Sequence, residues 1–407
     1  MFSRARLDLS VEAARERISS RVEPLDPATV PLIRSLGLTL AGDMVAPIDL
    51  PRFTNSAMDG VALHSAATGE SSERHPALLR LLGTIDAGQV WNGQIAIDQA
   101  VRIGTGAALP GECDAVIPAE QIVERDGFVE VAAPVATGQN VRQRGEDIRA
   151  GVIALKADTT LRPQEIGLLA ALGIDSVSAI PRPAVTIVSI GPELFETSGP
   201  ALVNDANGPM LAALAESAGA EVVDIVQSDG DLDDVFDHLD NCETTSDFVI
   251  TSGGISNSLA DTMADLLEPH PQAELWEVRL RPGKHFGFAW FDDFYMLSLP
   301  GNPIAALVGF ELFGRPLIDR LSGRPSGREM ATAVATETIV GRTGRTDVIR
   351  GRAWRDGAGR LLAVPTENRG SSVMSSLPDA NCLILLNEET DTVEADETIS
   401  ISWVGYQ

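Results

Sequence analysis

Apolar, strand-like runs alternate with helical patterns between Pro181 and Gly323, and this alternation restricts the possible fold more than any other feature of the sequence. The strand-like runs are Ala184–Ile190, Val222–Val226, Phe248–Ser252 and Tyr295–Leu299, with a further pair at Leu275–Leu280 and Phe286–Trp290. The helical runs are Pro209–Ala218, Leu232–Leu239, Asp261–Glu268 and a long helix that begins near Pro303. Such alternation predicts a parallel sheet covered by helices on both faces, that is, a doubly wound α/β domain over residues 181–325.

The segments on either side of this domain have a different pattern of apolar and turn-forming residues. Residues 46–144 contain short alternating or apolar runs separated by Gly, Pro and Asp, which predicts a β-rich inserted domain. Residues 328–407 contain five strand-like runs after a Gly- and Pro-rich linker, which predicts a C-terminal β-sandwich or β-barrel. The chain is therefore expected to be a multidomain α/β protein.

Three helical patterns flank the β-rich insert. Ser10 can cap a helix with an apolar face, Asp26-Pro27 can open a second helix that Gly37 ends, and Arg162-Pro163 can open a third that ends at Gly173. We expect these helices to form one discontinuous, elongated helical domain from residues 1–45 and 145–180.

The charge and the cysteines exclude several classes of protein. The chain has 31 Lys and Arg against 58 Asp and Glu, and its net charge of −27 predicts no nucleic-acid and no membrane partner. The three cysteines lack CxxC spacing, so neither a disulfide framework nor a structural zinc site is indicated. With no signal segment and no run of membrane-spanning length, a cytoplasmic protein is expected.

Two glycine-containing loops follow predicted strands of the α/β domain. They are Thr251-Ser252-Gly253-Gly254-Ile255-Ser256 and Leu299-Pro300-Gly301-Asn302-Pro303. Ligands of doubly wound sheets bind beyond the carboxyl ends of the strands, and glycines let backbone N–H groups approach an anion. A tight turn would explain either loop alone, but their joint occurrence favours a phosphate-bearing ligand.

Charged residues at loop positions supply two further sets of candidates. The carboxylates are Asp59, Asp147, Glu193, Asp229 and Asp261, which as hard oxygen ligands suit Mg²⁺ bridging phosphates, although a helix cap or turn explains any one of them. The basic set is Arg281 and Lys284 in Arg281-Pro282-Gly283-Lys284, together with Arg142, Arg144 and Arg350. These residues are candidate oxyanion contacts, and the alternative is a set of surface salt bridges.

Six motifs occur together along the chain in this order: Asn55-Ser56-Ala57-Met58-Asp59-Gly60, Gly104-Thr105-Gly106-Ala107, Arg144-Gly145-Glu146-Asp147, the first glycine-containing loop, Arg281–Lys284 and the second glycine-containing loop. In this combination the chain closely resembles the molybdopterin molybdenumtransferase family, which includes MoeA and the gephyrin E domain. The resemblance spans essentially the whole chain. It implies an elongated four-domain homodimer with a shared active site and a central MogA-like α/β domain.

The resemblance also implies a reaction and a set of site residues. Adenylylated molybdopterin, delivered by a molybdopterin adenylyltransferase, would receive molybdate and release AMP in a reaction that requires Mg²⁺. Molybdopterin and its phosphate would be held by Ser252, Gly253, Gly254, Ser256, Pro300, Gly301, Asn302 and Pro303. Asp59, Thr105, Asp147, Glu193, Asp229 and Asp261 would form the acidic part of the site, with Glu193 and Asp261 as metal ligands, and Arg281, Lys284, Arg350 and Ser371 would bind molybdate.

Several positions depart from the family pattern. Ile190-Gly191-Pro192-Glu193 stands where the family usually has Thr-Gly-Asp-Glu, and Leu259 stands where a glycine is usual. These substitutions motivate an alternative, a non-catalytic paralogue that binds molybdopterin as a carrier or scaffold. A third hypothesis, an enzyme that adenylylates or hydrolyses a nucleotide, leaves the β-rich insert and the Asp59 motif unexplained.

Overall fold

The computed structural model describes residues 6–194, 203–255, 261–367, 370 and 373–404. The chain divides into two compact units. The first unit consists of Met1–Ala28, Gly37–Thr39 and Ala179–Gln407, and the second consists of Thr29–Leu36 and Leu40–Ser178. Among the described residues, no helix is both long enough and apolar enough to cross a membrane.

A seven-stranded sheet forms the centre of the first unit. Its strands, in spatial order, are Leu7–Leu9, Ala273–Val278, His285–Trp290, Tyr295–Leu299, Phe248–Ser252, Ala184–Ile190 and Glu221–Ser228. The last four strands in this order are parallel, as the sequence predicts. His285–Trp290 departs from the predicted parallel arrangement and runs antiparallel to both neighbours, because the short turns at its ends cannot hold a crossover helix.

Helices cover both faces of this sheet, which confirms the doubly wound arrangement. Alternate residues of a strand point to opposite faces, so Ile250 packs in one core and Val249 in the other. The first core contains helices Val11–Ser19, Asn207–Ser217 and Pro303–Gly309, the last continuing through a π-helical turn, Phe310–Gly314, into helix Arg315–Leu321. The second core contains helices Leu232–Cys242 and Thr262–Leu267.

The N-terminal residues differ from the prediction. Ser10 does cap a helix, since its Oγ accepts a hydrogen bond from the amide of Ala13 (3.1 Å). The strand Leu7–Leu9, however, pairs with Trp276–Val278, and the apolar face of the helix is buried in the α/β core. Residues 1–28 therefore belong to the first unit rather than to a helical domain with residues 145–180.

The helix predicted from Asp26-Pro27 to Gly37 is wrong. This segment forms the strand Ala28–Pro31 and a short 3-10 turn, Leu32–Arg34. Pro31 has no amide hydrogen to donate, and it disfavours helical geometry at the residue before it, which explains why a helix does not form here.

The C-terminal part of the first unit contains a closed β-barrel. Its five strands are Met330–Ala335, Thr346–Arg355, Leu361–Pro365, Cys382–Leu386 and Thr398–Trp403. The ring closes because Thr346–Arg355 pairs with both Leu361–Pro365 and Cys382–Leu386. The short strand Leu280–Arg281 adds to this sheet by pairing with Thr346-Asp347, and Ile339–Val340 and Thr392–Val393 form a separate two-stranded sheet. Of the two predicted architectures, the barrel is therefore the one observed.

The second unit is rich in β-structure, as predicted. Its six-stranded sheet has the spatial order Val123–Arg125, Phe128–Val131, Ala77–Ile85, Gln99–Ile103, Gly60–Leu63 and Ala115–Pro118. Two short pairs join Asn55–Ser56 to Val141–Arg142 and Met44–Val45 to Ile153–Leu155. The remaining elements are helix Pro163–Ala171, which ends before Gly173 as predicted, and strands Thr39–Leu40 and Ser176–Ile180 where the chain passes between units.

Candidate functional site

The two glycine-containing loops of the first unit lie side by side. Their strands, Phe248–Ser252 and Tyr295–Leu299, are parallel neighbours, so both loops leave the same edge of the sheet. The amide of Gly253 donates to the carbonyl oxygen of Leu299 (3.1 Å), and Ser252 Oγ donates to that of Pro300 (3.3 Å). We call residues 251–255 and 299–303 together the two-loop cradle.

The cradle also contacts the end of the strand Ala184–Ile190. Gly253 has φ +93°, and a Cβ at this position would lie 2.0 Å from the carbonyl oxygen of Ile190. A Cβ at Gly301 would lie 3.3 Å from Gly253 Cα. Glycine is therefore required at Gly253 both for its backbone conformation and for the space it leaves. Ser256, the last residue of the predicted loop, lies outside the described residues.

Asn302 and Pro303 begin the helix that follows the cradle. Asn302 Oδ1 accepts hydrogen bonds from the amides of Ile304 (3.0 Å) and Ala305 (3.2 Å), and Pro303 occupies the first helical position. The family resemblance implies that Asn302 contacts the pterin, and these bonds show that its Oδ1 also caps the helix. Pro303 is suited to this place because its missing N–H would have no partner there in any case.

Asn207 joins the two loops, and the sequence analysis did not single it out. Its Nδ2 donates to Ser252 Oγ (2.8 Å) and to the carbonyl oxygen of Gly301 (2.8 Å). Asn207 is the first residue of helix Asn207–Ser217, which packs on the sheet. A polar residue at the start of a helix was the available signal, but its partners are too distant in sequence to be read from it.

Two of the predicted carboxylates near the cradle are exposed. Glu193 follows the strand Ala184–Ile190, and its carboxylate oxygens lie 2.6–2.7 Å from where a Cβ of Gly191 would be. Asp229 follows the neighbouring strand, and its Oδ1 accepts a hydrogen bond from the amide of Asp231 (2.9 Å). Both side chains therefore present oxygen atoms to solvent near strand ends.

Asp261 is in a different situation, since only 2% of the residue is exposed. Its Oδ2 lies 2.6 Å from Arg6 Nη2, and its Oδ1 accepts a hydrogen bond from the amide of Ala264 (3.1 Å). Both oxygens thus have protein partners, and one partner carries a positive charge. Arg6 was missed in the sequence because 255 residues separate it from Asp261.

Mg²⁺ prefers oxygen ligands, which the carboxylates of Glu193, Asp229 and Asp261 could supply. Within the described part of the chain, no group of three or more His, Cys, Asp or Glu side chains could hold a metal ion. The contacts of Asp261 do not favour a metal role for it. Glu193 and Asp229 are the exposed carboxylates near the cradle, and Mg²⁺ sites that rely on substrate phosphates commonly use only one or two protein carboxylates.

Two predicted molybdate contacts line a cavity of about 150 Å³ beside the barrel. Its lining includes Arg281, Arg350, Asp347 and Thr366. Arg350 is 5% exposed and donates from Nη2 to the carbonyl oxygen of Gly370 (3.0 Å), and burial lowers the pKa of its guanidinium. Thr366 Oγ1 is buried without a hydrogen-bond partner among the residues described. Cationic and hydroxyl groups in one cavity can bind an oxyanion.

The two other predicted molybdate contacts are Lys284 and Ser371. The Lys284 side chain is 55% exposed, and its Nζ lies 2.5 Å from Glu277 Oε1. Ser371 lies outside the described residues. The ammonium group of Lys284 is therefore paired on the surface, and the cavity wall owes its positive charge to the two arginines.

The other three motifs meet in the second unit. Asp59 Oδ1 accepts hydrogen bonds from Thr105 Oγ1 (2.6 Å) and from the Thr105 amide (2.7 Å), and these bonds hold the pKa of Asp59 below its usual range. The Ser56 amide donates to Ala107 (3.1 Å), which joins the first two motifs. Asp59 is exposed, so its ionised carboxylate faces solvent.

The third of these motifs carries Asp147. The strand pair Asn55–Ser56 and Val141–Arg142 brings its loop beside the Asp59 motif. Gly145 has φ +68°, Arg144 pairs with Asp49 (2.5 Å), and the amide of Asp147 donates to the Leu50 carbonyl (3.1 Å). The Asp147 side chain is exposed.

Family comparisons cover nearly the whole chain. Residues 9–173 match the MoeA N-terminal region (domain I and II), residues 186–320 match the probable molybdopterin binding domain, and residues 332–402 match the MoeA C-terminal region (domain IV). The three matches follow one another in the chain without overlap. They include every motif described above.

Individual relatives agree with this. The molybdopterin molybdenumtransferase of Haemophilus influenzae is 31% identical over 403 residues, covering 97% of this chain and 98% of that protein. The one from Staphylococcus aureus is 30% identical over 406 residues, covering 98% and 97%. A crystal structure of the molybdopterin biosynthesis MoeA protein from Pyrococcus horikoshii matches with a TM-score of 0.79 and 26% identity, over 97% of this chain and all of that one. With this similarity over its full length, the chain belongs to the molybdopterin molybdenumtransferase family.

Proposed function

We propose that this protein acts in molybdenum cofactor biosynthesis and inserts molybdate into adenylylated molybdopterin, with release of AMP. The observation that carries the proposal is the two-loop cradle, whose loops touch at Gly253 and Gly301 at the carboxyl end of the sheet. This is where doubly wound folds bind their ligands. The full-length match to relatives named as transferases does not favour the carrier or scaffold alternative.

The chain's own residues have distinct tasks in this proposal. The cradle binds the pterin and its phosphate through backbone groups and the Ser252 hydroxyl. Arg281 and Arg350 hold molybdate, the incoming substrate, because guanidinium groups donate several hydrogen bonds to a tetrahedral oxyanion. Most of the rate enhancement then comes from holding two substrates in a reactive arrangement.

The proposal includes a requirement for Mg²⁺. Glu193 and Asp229 would hold the ion, which when bound supplies positive charge to the phosphoanhydride that breaks. Asp261 would act indirectly, since its contacts with Arg6 and Ala264 fix the start of the helix Thr262–Leu267. The ion is thus expected to bind weakly unless substrate phosphates are present.

Other parts of the proposal rest on the family resemblance. They are a homodimer with a shared active site, a molybdopterin adenylyltransferase as the source of the substrate, and a cytoplasmic location. In a shared site, Asp59, Thr105 and Asp147 of one subunit would complete the cradle of the other. The exposed position of Asp59 supports this role, because its carboxylate is accessible from solvent.

The decisive experiment measures AMP. Purified protein is mixed with adenylylated molybdopterin, Mg²⁺ and molybdate, and AMP is followed by chromatography, with molybdate or Mg²⁺ omitted in parallel. We expect AMP release that depends on both additions. Binding of the pterin without any release of AMP would contradict the transferase and support the carrier alternative.

A variant tests the contribution of the second unit. Asp59→Ala should lower turnover strongly while light scattering shows an unchanged oligomer. Asp98→Ala, at another exposed aspartate of the same unit, is the matched control and should retain turnover. Equal turnover in the two variants would remove Asp59 from the site.

A further inference from the structure

The Asn207 carboxamide has an orientation that its partners determine. The Gly301 carbonyl oxygen can only accept, so the amide nitrogen must face it at 2.8 Å. Ser252 Oγ uses its hydrogen toward Pro300 (3.3 Å), which leaves its lone pairs to accept from the same nitrogen at 2.8 Å. One NH₂ group thus bonds both loops of the cradle.

Stability of the fold does not account for an asparagine at this position. Asn207 Oδ1 is buried and has no hydrogen-bond partner in the described part of the chain. A buried acceptor without a partner destabilises a protein by about as much as a good hydrogen bond contributes, or more. The side chain therefore gains two bonds to the loops at the expense of one unsatisfied oxygen.

The backbone of Asn207 is held firmly. The residue begins the 11-residue helix Asn207–Ser217, whose buried residues pack in the core of the first unit. Just before it, Asp205 Oδ1 accepts a hydrogen bond from the amide of Gly208 (2.9 Å). The helix thus holds the NH₂ group in place, and Ser252, which is 2% exposed, is buried beside it.

We infer that Asn207 is a positioning residue for the two-loop cradle. By bonding Ser252 and Gly301 at once, it fixes the separation of the two loops before the ligand arrives. Binding then requires no further ordering of the loops, which raises affinity. This inference rests on the proposed function, because the ligand whose affinity it concerns is the pterin.

The test measures binding of molybdopterin to the full-length protein under anaerobic conditions, through the pterin fluorescence. Asn207→Ala should weaken binding about tenfold, the effect of two hydrogen bonds of ordinary strength. Asn207→Leu has a similar size but no N–H donors and no charge, so it should lose affinity to a similar degree. Wild-type affinity in Asn207→Leu would overturn the inference, even if Asn207→Ala failed to fold.

Two further measurements separate positioning from general destabilisation. Asn387→Ala removes a comparable pair of bonds in a barrel turn, from the Glu389 amide (3.0 Å) and Thr390 Oγ1 (2.7 Å), and should leave binding unchanged. In a Ser252→Ala background, Asn207→Ala should have a smaller effect than in the wild type, since one shared bond is already absent. Fully additive effects would contradict the inference.

The outcome for the wild-type protein distinguishes this inference from the proposed function. If the wild type does not bind molybdopterin, the proposed function fails. If the wild type binds and both Asn207 variants bind equally well, only the positioning role fails.

Discussion

The contact between Gly253 and Ile190 can be tested with Gly253→Ala. The new Cβ would lie 2.0 Å from the Ile190 carbonyl oxygen and 3.1 Å from its carbonyl carbon. Side-chain carbons essentially never approach another atom closer than 3.0 Å, so the loop and the strand end must separate by about 1 Å. Because the obstacle is backbone, no change of rotamer can relieve the clash.

The expected loss of stability has two parts. An alanine at φ +93° is disfavoured by ~1–2 kcal/mol relative to glycine, and the forced separation adds ~1–3 kcal/mol, as overpacking does in protein cores. Gly344→Ala is a matched control, because Gly344 has φ +85° and nothing lies within 4 Å of its Cβ position. The control should therefore show only the first part.

The assay compares the urea concentrations at which the variants unfold, together with their affinity for molybdopterin. Gly253→Ala should unfold at a lower concentration than Gly344→Ala. If the loop instead moves away from Ile190, stability will be spared but molybdopterin affinity will fall. Equal stability and equal affinity in the two variants would refute the reasoning, since the close approach would then constrain neither the fold nor the cradle.

Three further predictions concern other parts of the chain. Thr105→Val should raise the pKa of Asp59, measured by carboxyl-carbon NMR, and an unchanged pKa would contradict this. Because the pKa of Asp59 is lower in the folded protein than in the unfolded one, this carboxylate stabilises the fold above its unfolded pKa, and that stabilisation is lost as the pH falls through its folded pKa. Arg6→Ala removes a positively charged partner of the buried Asp261 and should destabilise the first unit by ~3–5 kcal/mol in urea unfolding. Arg360→Ala, at an exposed pair, should cost less than ~1 kcal/mol, and equal losses in the two variants would contradict this prediction. Burial raises the pKa of the Cys113 and Cys382 thiols to about 12 and also raises the pKa of Cys242. A thiol reagent at pH 8 should therefore modify the three cysteines only after denaturation, and rapid modification of the native protein would disprove this prediction.

Much of the α/β domain could be predicted because the local spacing of apolar residues indicates whether a segment is a helix or a strand. The run Phe248–Ser252 is fully buried and the pattern after Pro303 is helical, and both appear where the sequence places them. Strand direction is not local information. His285–Trp290 has the same apolar character as the parallel strands of the sheet, and only the short connections at its ends reveal that it runs the other way.

The candidate site was predictable to the extent that single residues indicate their own role. Gly253 indicates a special backbone conformation and Pro303 indicates a helix start, and the structure has both. Arg6 and Asn207 could not be found in this way, because their importance comes from partners that folding brings to them. The same holds for Asp261, whose carboxylate looks available in the sequence but is buried against Arg6.

The first strand of the large sheet has a consequence for synthesis of the protein. Leu7–Leu9 pairs with Trp276–Val278, which a ribosome produces about 270 residues later, after roughly 15 to 50 s at typical rates of synthesis. Until then the nine-residue helix Val11–Ser19 has no core to bury Val11, Ala14 and Ile18, and an isolated helix of that length is not stable in water. Residues 40–178 form most of the second unit and can fold in the meantime. During synthesis the apolar face of Val11–Ser19 therefore stays uncovered while residues 40–178 can already fold, a state that chaperones bind.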